Sequence, residues 1–436
     1  MKKYLSYRIF FLFVIVIFSC CSAVNHAFSK RSYCAPVSYE KAYSYRINAP
    51  FESIYTLLND MELEILRKNN PPAYVNKICD CIKSLATNDF EKVKMVYDFI
   101  LLSIGYDSLE RKNSKFSKQD WSSVIKRKSA LAEGFANTFE KFCDELGISS
   151  EKVYGLMKEK EIQFTKNNIK ISKSVWNIVK INEAWYFVDC YRSAIDYNRI
   201  YNVYTSDWLF IKSDYFIYTH YPLKSEYQLI SQPISELEYR ELAYLPAESF
   251  SKFDLLDSKI KFINKVKVRD SYSFSLVPQK DDYIIFPLVF NVADYREVEN
   301  CYFVKTIGAA KRFDFSFPDV GLYEVAIVFA KLGESSGKEV LNFFVETCAP
   351  SYIRYPKFWW VRDAKNLEVI SPVELPLKKN ICYTFIVYAE NQNHIYACGS
   401  KIMVPLDSDG KGLFKADILI PDDEEKIELF CAESED

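Results

Sequence analysis

The feature that most constrains this chain is a helix followed by a strand hairpin and a carboxylate. Residues 132–147 repeat apolar side chains at helical spacing and end at a glycine, which is typical of a helix C-cap. The period changes in residues 175–188, which predicts two strands joined at Asn182-Glu183. Asp189 directly follows the second strand. The start of the helix, the hairpin and this carboxylate are therefore expected to share one core.

Three short motifs follow the same order along the chain. Residues 130–136 read ALAEGFA, residues 174–177 read SVWN, and residues 185–189 read WYFVD. These segments resemble the patterns GVCEGYA, HAWN and WYxVD of the transglutaminase-like family, which has a papain-like core. In that family a cysteine opens the helix, where the helix dipole and an imidazole lower the thiol pKa. A histidine begins the first strand as the base, and an aspartate on the next strand orients it.

The resemblance aligns Ala132 with the nucleophile, Ser174 with the base and Asp189 with the orienting carboxylate. A serine hydroxyl does not titrate near neutral pH, so it cannot replace the base. Cys143 lies eleven residues after Ala132, which is about 16 Å further along the helix, and is expected to be a core thiol. Cys190 neighbours Asp189 on a strand and is expected to face away from it. The expected outcome is a pseudoenzyme whose catalytic positions are degenerate.

Flanking segments resemble the kyphoscoliosis-peptidase type of this superfamily. Residues 88–107 look like its helical lead-in, and residues 216–230 look like its exit segment, in which His220 is expected to pack structurally. Beyond Pro246 only short strands with turn signals occur, which resembles the Ig-like domains of such proteins. The expected fold is α+β: a papain-like/transglutaminase-like core followed by two Ig-like β-sandwich modules. The predicted domains are residues 48–245 (core with helical lead-in), 250–349 and 350–436.

The N-terminus predicts export. Residues 1–23 combine lysines, a short apolar stretch and small residues, which is a signal-peptide profile. The apolar stretch is shorter than the ~20 residues of a spanning helix. Cys20 lies in a relaxed lipobox and is the candidate for lipidation; the alternative is plain cleavage after Ala23. The protein is therefore expected outside the cytoplasm, lipid-anchored or secreted, and in contact with a membrane only through that anchor.

Composition excludes several classes of function. The chain has 56 basic against 58 acidic residues and no basic stripe, which argues against nucleic acid as a partner. Only 11 glycines and no phosphate-loop motif are present, and no cofactor is expected. Cys79-Asp80-Cys81 has no further ligands at metal-binding spacing, so no metal site is expected. The suggested disulfide pairs are Cys301 with Cys348 and Cys382 with Cys398.

The function favoured by these observations is a catalytically inactive binding or scaffolding module at the cell surface. Its ligand would be a protein, a peptide or a cell-wall polymer, and the candidate cleft residues are Glu133, Trp176 and Asn177. The alternative is an active transglutaminase, cysteine-peptidase-like enzyme or hydrolase with an unorthodox set, in which Glu133 or Asp189 is the general base. A purely structural surface protein without a specific ligand stays open.

Overall fold

The computed structural model describes most of the chain after the predicted signal peptide. The described residues are 33–47, 49–108, 118–163, 166–197, 204–246, 249, 261–278, 283–331, 337–356, 368–390 and 392–432. Residues 1–23, with the candidate lipidation site Cys20, lie outside them. Within the described ranges, no helix combines the length and the apolar character that crossing a membrane requires.

The chain divides into two compact units. The first unit comprises Met1–Val153, Trp176–Ala194 and Lys224–Pro233, and the second comprises Tyr154–Val175, Ile195–Leu223 and Ile234–Asp436. The division runs through one long strand, between Val175 and Trp176. The domain boundaries proposed from the sequence stay predictions.

The first unit is mainly helical, as the sequence predicts. Its helices are α1 Glu40–Tyr43, α2 Glu52–Leu58, α3 Met61–Asn69, α4 Pro71–Leu85, α5 Asp89–Ser103, α6 Trp121–Arg127, α7 Ala132–Leu146 and, across its boundary, α8 Cys190–Asp196. Two short strands, β1 Gly105–Tyr106 and β2 Ser129–Ala130, pair in parallel before α7.

Local side-chain chemistry explains where these helices begin and end. The Asn88 side chain accepts a hydrogen bond from Glu91 N (3.1 Å), so α5 begins at the predicted Asn-Asp step. Helix α7 ends at Gly147, whose φ of 72° lies in the left-handed region that glycine adopts without a Cβ penalty. Phe135, Phe139 and Phe142 are buried along one face of α7, which confirms the predicted amphipathic helix.

The central strands are longer than the sequence suggested. They are β3 Ser150–Gln163, β4 Lys166–Ile181, β5 Ala184–Val188, β6 Leu209–Ile211 and β7 His220–Pro222. Strands β4 and β5 are antiparallel, with Asn177 opposite Val188. Asn182 and Glu183 both have positive φ, the backbone of a two-residue hairpin turn, so the predicted hairpin is confirmed. Strand β3, which pairs with β7, was not predicted.

The rest of the second unit contains short helices and many strands. The helices are α9 Ser213–Phe216 and α10 Glu236–Glu241. The strands are β8 Lys265–Val268, β9 Ser271–Leu276, β10 Tyr283–Asn291, β11 Tyr302–Ile307, β12 Ala310–Ser316, β13 Gly321–Lys331, β14 Gly337–Thr347, β15 Glu368–Ser371, β16 Cys382–Tyr388, β17 His394–Cys398, β18 Met403–Pro405, β19 Asp407–Ser408, β20 Leu413–Leu419 and β21 Glu428–Ala432. We call β8–β14 the first β module and β15–β21 the second.

Each β module consists of a four-stranded and a three-stranded sheet. In the first module the strand orders are β10-β13-β14-β8 and β11-β12-β9. The ring centroids of Phe274 on β9 and Phe343 on β14 are 5.5 Å apart, so these two sheets face each other. In the second module the orders are β15-β16-β20-β19 and β18-β17-β21, around a core that includes Phe385, Ile395 and Phe414. The overall class is α+β, as predicted.

The suggested disulfides are wrong. Cys301, Cys348, Cys382 and Cys398 are all free thiols, as are the other cysteines of the described ranges. Cys301 is buried, whereas Cys348 and Cys382 are exposed. The two cysteines of each pair were matched because they lie in the same predicted module. A disulfide requires more than this, since the two Cβ atoms must be close together and suitably oriented.

Candidate functional site

The N-terminus of α7 lies where the motif places a nucleophile. Ala132 is the first helical residue, and Leu131 before it has extended backbone and no side-chain capping bond. The first backbone N–H groups of α7 supply the positive end of the helix dipole, which would lower the pKa of a thiol placed there. Ala132 offers a methyl group instead. The position keeps its electrostatic setting and has no nucleophilic atom.

Gln119 and Gly134 explain how the chain approaches α7. The Leu131 N–H donates to Gln119 Oε1 (3.0 Å), and Asn137 Nδ2 donates to the Gln119 carbonyl (2.9 Å). A Cβ on Gly134 would lie 2.8 Å from Val124 Cγ2 and 2.9 Å from Ala130 Cβ, and would also collide with Gln119 Oε1. The glycine of the ALAEGFA motif is therefore required by packing. Gln119 was not predicted, because it is distant in sequence and belongs to no recognisable pattern.

Trp176 and Asn177 are core residues of the first unit. Each is only 1% exposed. Asn177 Nδ2 donates to the carbonyl of Ala136 (3.2 Å), so β4 is tied to the first turns of α7. Of the three candidate cleft residues, only Glu133 is exposed to solvent. The ligand-binding role suggested for all three stays a prediction, and in this structure Trp176 and Asn177 brace the hairpin.

Asp189 has a structural task at the strand end. It is 1% exposed, and its Oδ1 accepts a hydrogen bond from Arg192 N (2.8 Å) in the first turn of α8. The Asp189 carbonyl accepts from Ser193 Oγ (2.7 Å), and Ser193 Oγ lies 2.6 Å from the Tyr97 hydroxyl. The carboxylate therefore acts as the N-cap of α8. This contact agrees with the expectation that Asp189 holds a strand end.

Ser174 lies on the part of β4 that belongs to the second unit, two residues before Trp176. It is 7% exposed, and its Oγ has no hydrogen-bond partner among the described residues. A buried hydroxyl without a hydrogen-bond partner costs free energy. A serine at this point supplies a dipole but no proton acceptor comparable to imidazole.

The remaining thiols and His220 lie within cores. Cys143 and Cys190 are buried, and burial raises the pKa of each thiol well above its ordinary value. Burial likewise raises the pKa of Cys79 to about 12. His220 is fully buried against the rings of Phe216 and Trp208, which confirms its structural packing. In the described ranges no group of three His, Cys, Asp or Glu side chains could hold a metal ion.

The helix start at Ala132, the β4–β5 hairpin and the strand-end Asp189 follow one another along the chain in the predicted order. Residues 76–190 match the model of the transglutaminase-like superfamily. This part of the chain is a transglutaminase-like core, and the predicted resemblance is confirmed. The matched range contains Ala132, Ser174 and Asp189.

Two curated relatives sharpen this assignment. The chain is 22% identical to mouse kyphoscoliosis peptidase over 189 residues, which cover 41% of this chain and 28% of that protein. It is 22% identical to the human kyphoscoliosis peptidase over 178 residues, covering 38% and 26%. The chain thus spans less than a third of either relative.

A solved structure of red sea bream transglutaminase covers 87% of this chain and 72% of its own, with 11% identity and a TM-score of 0.22. A second transglutaminase structure covers 35% and 37%, with 17% identity and a TM-score of 0.21. Because both TM-scores are low, the assignment rests on the sequence matches.

Proposed function

We propose that this protein is a catalytically inactive transglutaminase-like protein that binds a ligand. The observation that carries the proposal is Ala132 at the first residue of α7, the position at which the family motif has its nucleophile. The packing residues of the same motif, Gly134 and Asn177, keep specific contacts. Loss of nucleophile and base together removes nearly all of the rate that such a set provides.

Other residues do not favour the enzymatic alternative. Cys143 and Cys190 are buried with raised thiol pKa values, which opposes the formation of a nucleophilic thiolate. Glu133 is solvent-exposed, so it lacks the burial that commonly tunes a carboxylate for general-base catalysis. Asp189 already accepts a hydrogen bond at the start of α8. The similarity to relatives named peptidase therefore supports a shared fold. It does not imply that this chain has peptidase activity.

The proposed setting is outside the cytoplasm, with Cys20 or the region after Ala23 as the mature N-terminus. The two β modules are proposed to be Ig-like sandwiches that act as spacers or contact surfaces. The strand order of the first module supports this. Strands β9, β11 and β12 form one sheet and β10, β13 and β14 belong to the other, as strands B, D, E and C, F, G do in an Ig fold, while β8 pairs with β14. The proposed ligand of the core is an extended peptide or a wall polymer, and Glu133 is the exposed side chain expected to meet it.

Activity assays test the loss of catalysis. Purified full-length protein is incubated with a peptide library and, separately, with a glutamine peptide and a primary amine, and products are followed by mass spectrometry. We expect neither cleavage nor cross-linking above the protein-free control. Turnover that Asp189→Asn abolishes, while circular dichroism shows a folded variant, would contradict the proposal.

Binding assays test the proposed ligand class. We expect immobilised peptides or wall fragments to retain the protein, and Glu133→Lys to alter that retention. Asp144→Lys is the matched control, because Asp144 is also exposed on α7 but lies at its C-terminal end. If the two variants change retention equally, the start of α7 is not part of the binding surface.

A further inference from the structure

Two tyrosines that lie far apart in the sequence meet at one carboxylate in the first unit. Tyr33 precedes the helices of this unit, and Tyr227 lies in the short 3₁₀ helix Ser225–Gln228. The Tyr33 hydroxyl donates to Glu151 Oε2 (2.7 Å), and the Tyr227 hydroxyl donates to the same oxygen (2.9 Å). The two hydroxyl oxygens are 3.5 Å apart, and the ring centroids are 4.7 Å apart at an interplanar angle of 67°. The two phenols are therefore in contact and share one acceptor.

This arrangement brings the reactive ends of both rings together. Loss of one electron and the hydroxyl proton turns a phenol into a phenoxyl radical, whose unpaired electron is shared with the two ring carbons ortho to the oxygen. Because the hydroxyl ends of Tyr33 and Tyr227 meet, these ortho carbons lie at the ends of the rings that approach each other. Groups held in contact within one molecule react far faster than the same groups free in solution.

Glu151 supplies the proton acceptor that oxidation of a phenol requires. Burial, together with the hydrogen bonds to Tyr33 and Glu151, raises the pKa of Tyr227 well above its ordinary value. The phenol therefore keeps its proton at neutral pH, and an electron leaves readily only if the proton leaves as well. A carboxylate within hydrogen-bond distance can accept that proton. Glu151 is partly exposed, so it can pass the proton on to solvent.

The pair is accessible and well fixed. Tyr33 and Tyr227 are each partly exposed to solvent, so an oxidant can approach them. The ring of Trp185 packs on Tyr33 with 5.3 Å between ring centroids and offers a second oxidisable ring through which an electron can leave. The backbone N–H of Trp185 donates to the carbonyl of Cys34 (2.9 Å), so the chain next to Tyr33 is held on β5.

A second tyrosine pair in the same chain lacks two of these features. Tyr221 and Tyr239 of the second unit stack with ring centroids 5.2 Å apart and an interplanar angle of 28°. Tyr239 is fully buried, and its hydroxyl donates to the backbone carbonyl of Thr219 (2.9 Å), which is not a base. Ring separation is thus similar in the two pairs, whereas access and a basic acceptor distinguish Tyr33 and Tyr227.

We propose that Tyr33 and Tyr227 form an oxidative cross-linking site, at which a haem peroxidase with hydrogen peroxide joins the two rings by a carbon–carbon bond. Each phenol loses one electron to the oxidant and one proton through Glu151, and the two radicals combine at ortho carbons. The two ring hydrogens at the new bond then move to the oxygens as protons, which restores both hydroxyl groups. In total the pair loses two electrons and two protons, and one hydrogen peroxide becomes two water molecules.

The consequence of this bond is a covalent link between the chain at residue 33 and the segment 224–233 of the first unit. Hydrogen bonds and ring contacts hold residue 33 there in the unmodified protein, and the new bond would make the attachment permanent. This site is separate from the start of α7 and does not depend on whether that region binds a ligand.

Mass spectrometry of the full chain tests the proposal. Dilute protein is treated with a haem peroxidase and hydrogen peroxide, the monomer is digested, and peptide pairs whose joint mass is lower by two hydrogens are identified and sequenced. We expect the Tyr33–Tyr227 cross-link to be at least about tenfold more abundant than a Tyr221–Tyr239 cross-link. Equal abundance of the two, absence of the first, or cross-links confined to dimers would overturn the proposal.

Variants separate the role of Glu151 from that of ring contact. Glu151→Gln keeps a hydrogen-bond acceptor but removes the basic carboxylate, so it should slow formation of the Tyr33–Tyr227 cross-link about tenfold or more. Tyr221→Phe is the matched control and should leave that rate unchanged. Circular dichroism checks that both variants are folded, and the wild-type cross-link alone decides the site. An unchanged rate in folded Glu151→Gln would overturn the assignment of Glu151 as proton acceptor.

Discussion

Two kinds of helix end differ in how they are held. The start of α8 is capped by the buried Asp189 carboxylate. The end of α10 is capped by the buried amino group of Lys158, whose Nζ donates to the carbonyls of Tyr239 (2.7 Å) and Leu242 (2.5 Å). The start of α7 at Ala132 has no side-chain cap. Buried polar side chains fix the first two ends, whereas packing around Gly134 fixes the third.

This difference separates the motif residues that have a structural role from those that do not. Asp189 has a structural role that does not depend on a histidine, so its presence does not imply catalysis. Ala132 has no polar role, and its helix is positioned by neighbours instead. The packing residues of the motif therefore have structural contacts that do not depend on a catalytic role.

The largest effect is expected for the Lys158 cap at the end of α10. Burial, reinforced by Arg240, lowers the pKa of Lys158 to about 7, against 10.5 for a free lysine. Between these pH values the unfolded chain binds more protons, so stability rises with pH. Relative to Lys158→Met, the wild type should gain roughly 2–4 kcal/mol in free energy of unfolding between about pH 7 and 10. Urea unfolding at a series of pH values measures this difference, and parallel curves for the two proteins would contradict it.

Gly134→Ala tests the packing at α7. The added methyl group would overlap Val124 and Ala130, so we expect a loss of about 1–3 kcal/mol in free energy of unfolding. Gly321→Ala is the matched control, because nothing lies within 4 Å of its Cβ position. Chemical denaturation of both variants makes the comparison, and an unchanged stability of Gly134→Ala would show that α7 is held in another way.

Asp189→Ala tests the cap of α8. Loss of the hydrogen bond to Arg192 N should lower the free energy of unfolding by about 0.5–2 kcal/mol. Asp189→Asn should lose less, since an asparagine oxygen can accept the same hydrogen bond. Asp144→Ala, at an exposed site on α7, is the control. If Asp189→Asn and Asp189→Ala lower the free energy of unfolding equally, the Asp189 carboxylate does not stabilise the protein by capping α8.

The smallest effect on stability is expected for Ala132→Cys. Ala132 is partly exposed, so the free energy of unfolding should change by less than about 0.5 kcal/mol. The new thiol should react with iodoacetamide faster than the buried Cys143 and Cys190, because the helix dipole favours its thiolate. Mass spectrometry of labelled peptides measures the rates. If the peptide that spans the substituted position stays unlabelled, the α7 start is inaccessible.

Local patterns predicted the elements that local chemistry determines. Asn88, Gly147 and the Asn182-Glu183 turn fixed element boundaries, and all were foreseen. The buried capping role of Lys158 was not predicted. Lys158 lies in a run of alternating charges that resembles an exposed strand, and only tertiary packing buries it.

The long-range features had no local signal. Gln119 acts on Leu131 across a helix and a turn, and the free thiols contradicted the suggested disulfides because sequence does not give distances between cysteines. The proposed nucleophile and base positions, Ala132 and Ser174, were singled out only through the motif resemblance, since alanine and serine carry no signal of their own.

We propose that the α7 region lacks catalytic chemistry although the transglutaminase-like core around it is folded. The most direct measurement compares peptide cleavage and amine incorporation by the wild type and by Asp189→Asn. We predict no turnover by either protein above the protein-free control. Turnover by the wild type that Asp189→Asn abolishes would contradict the account.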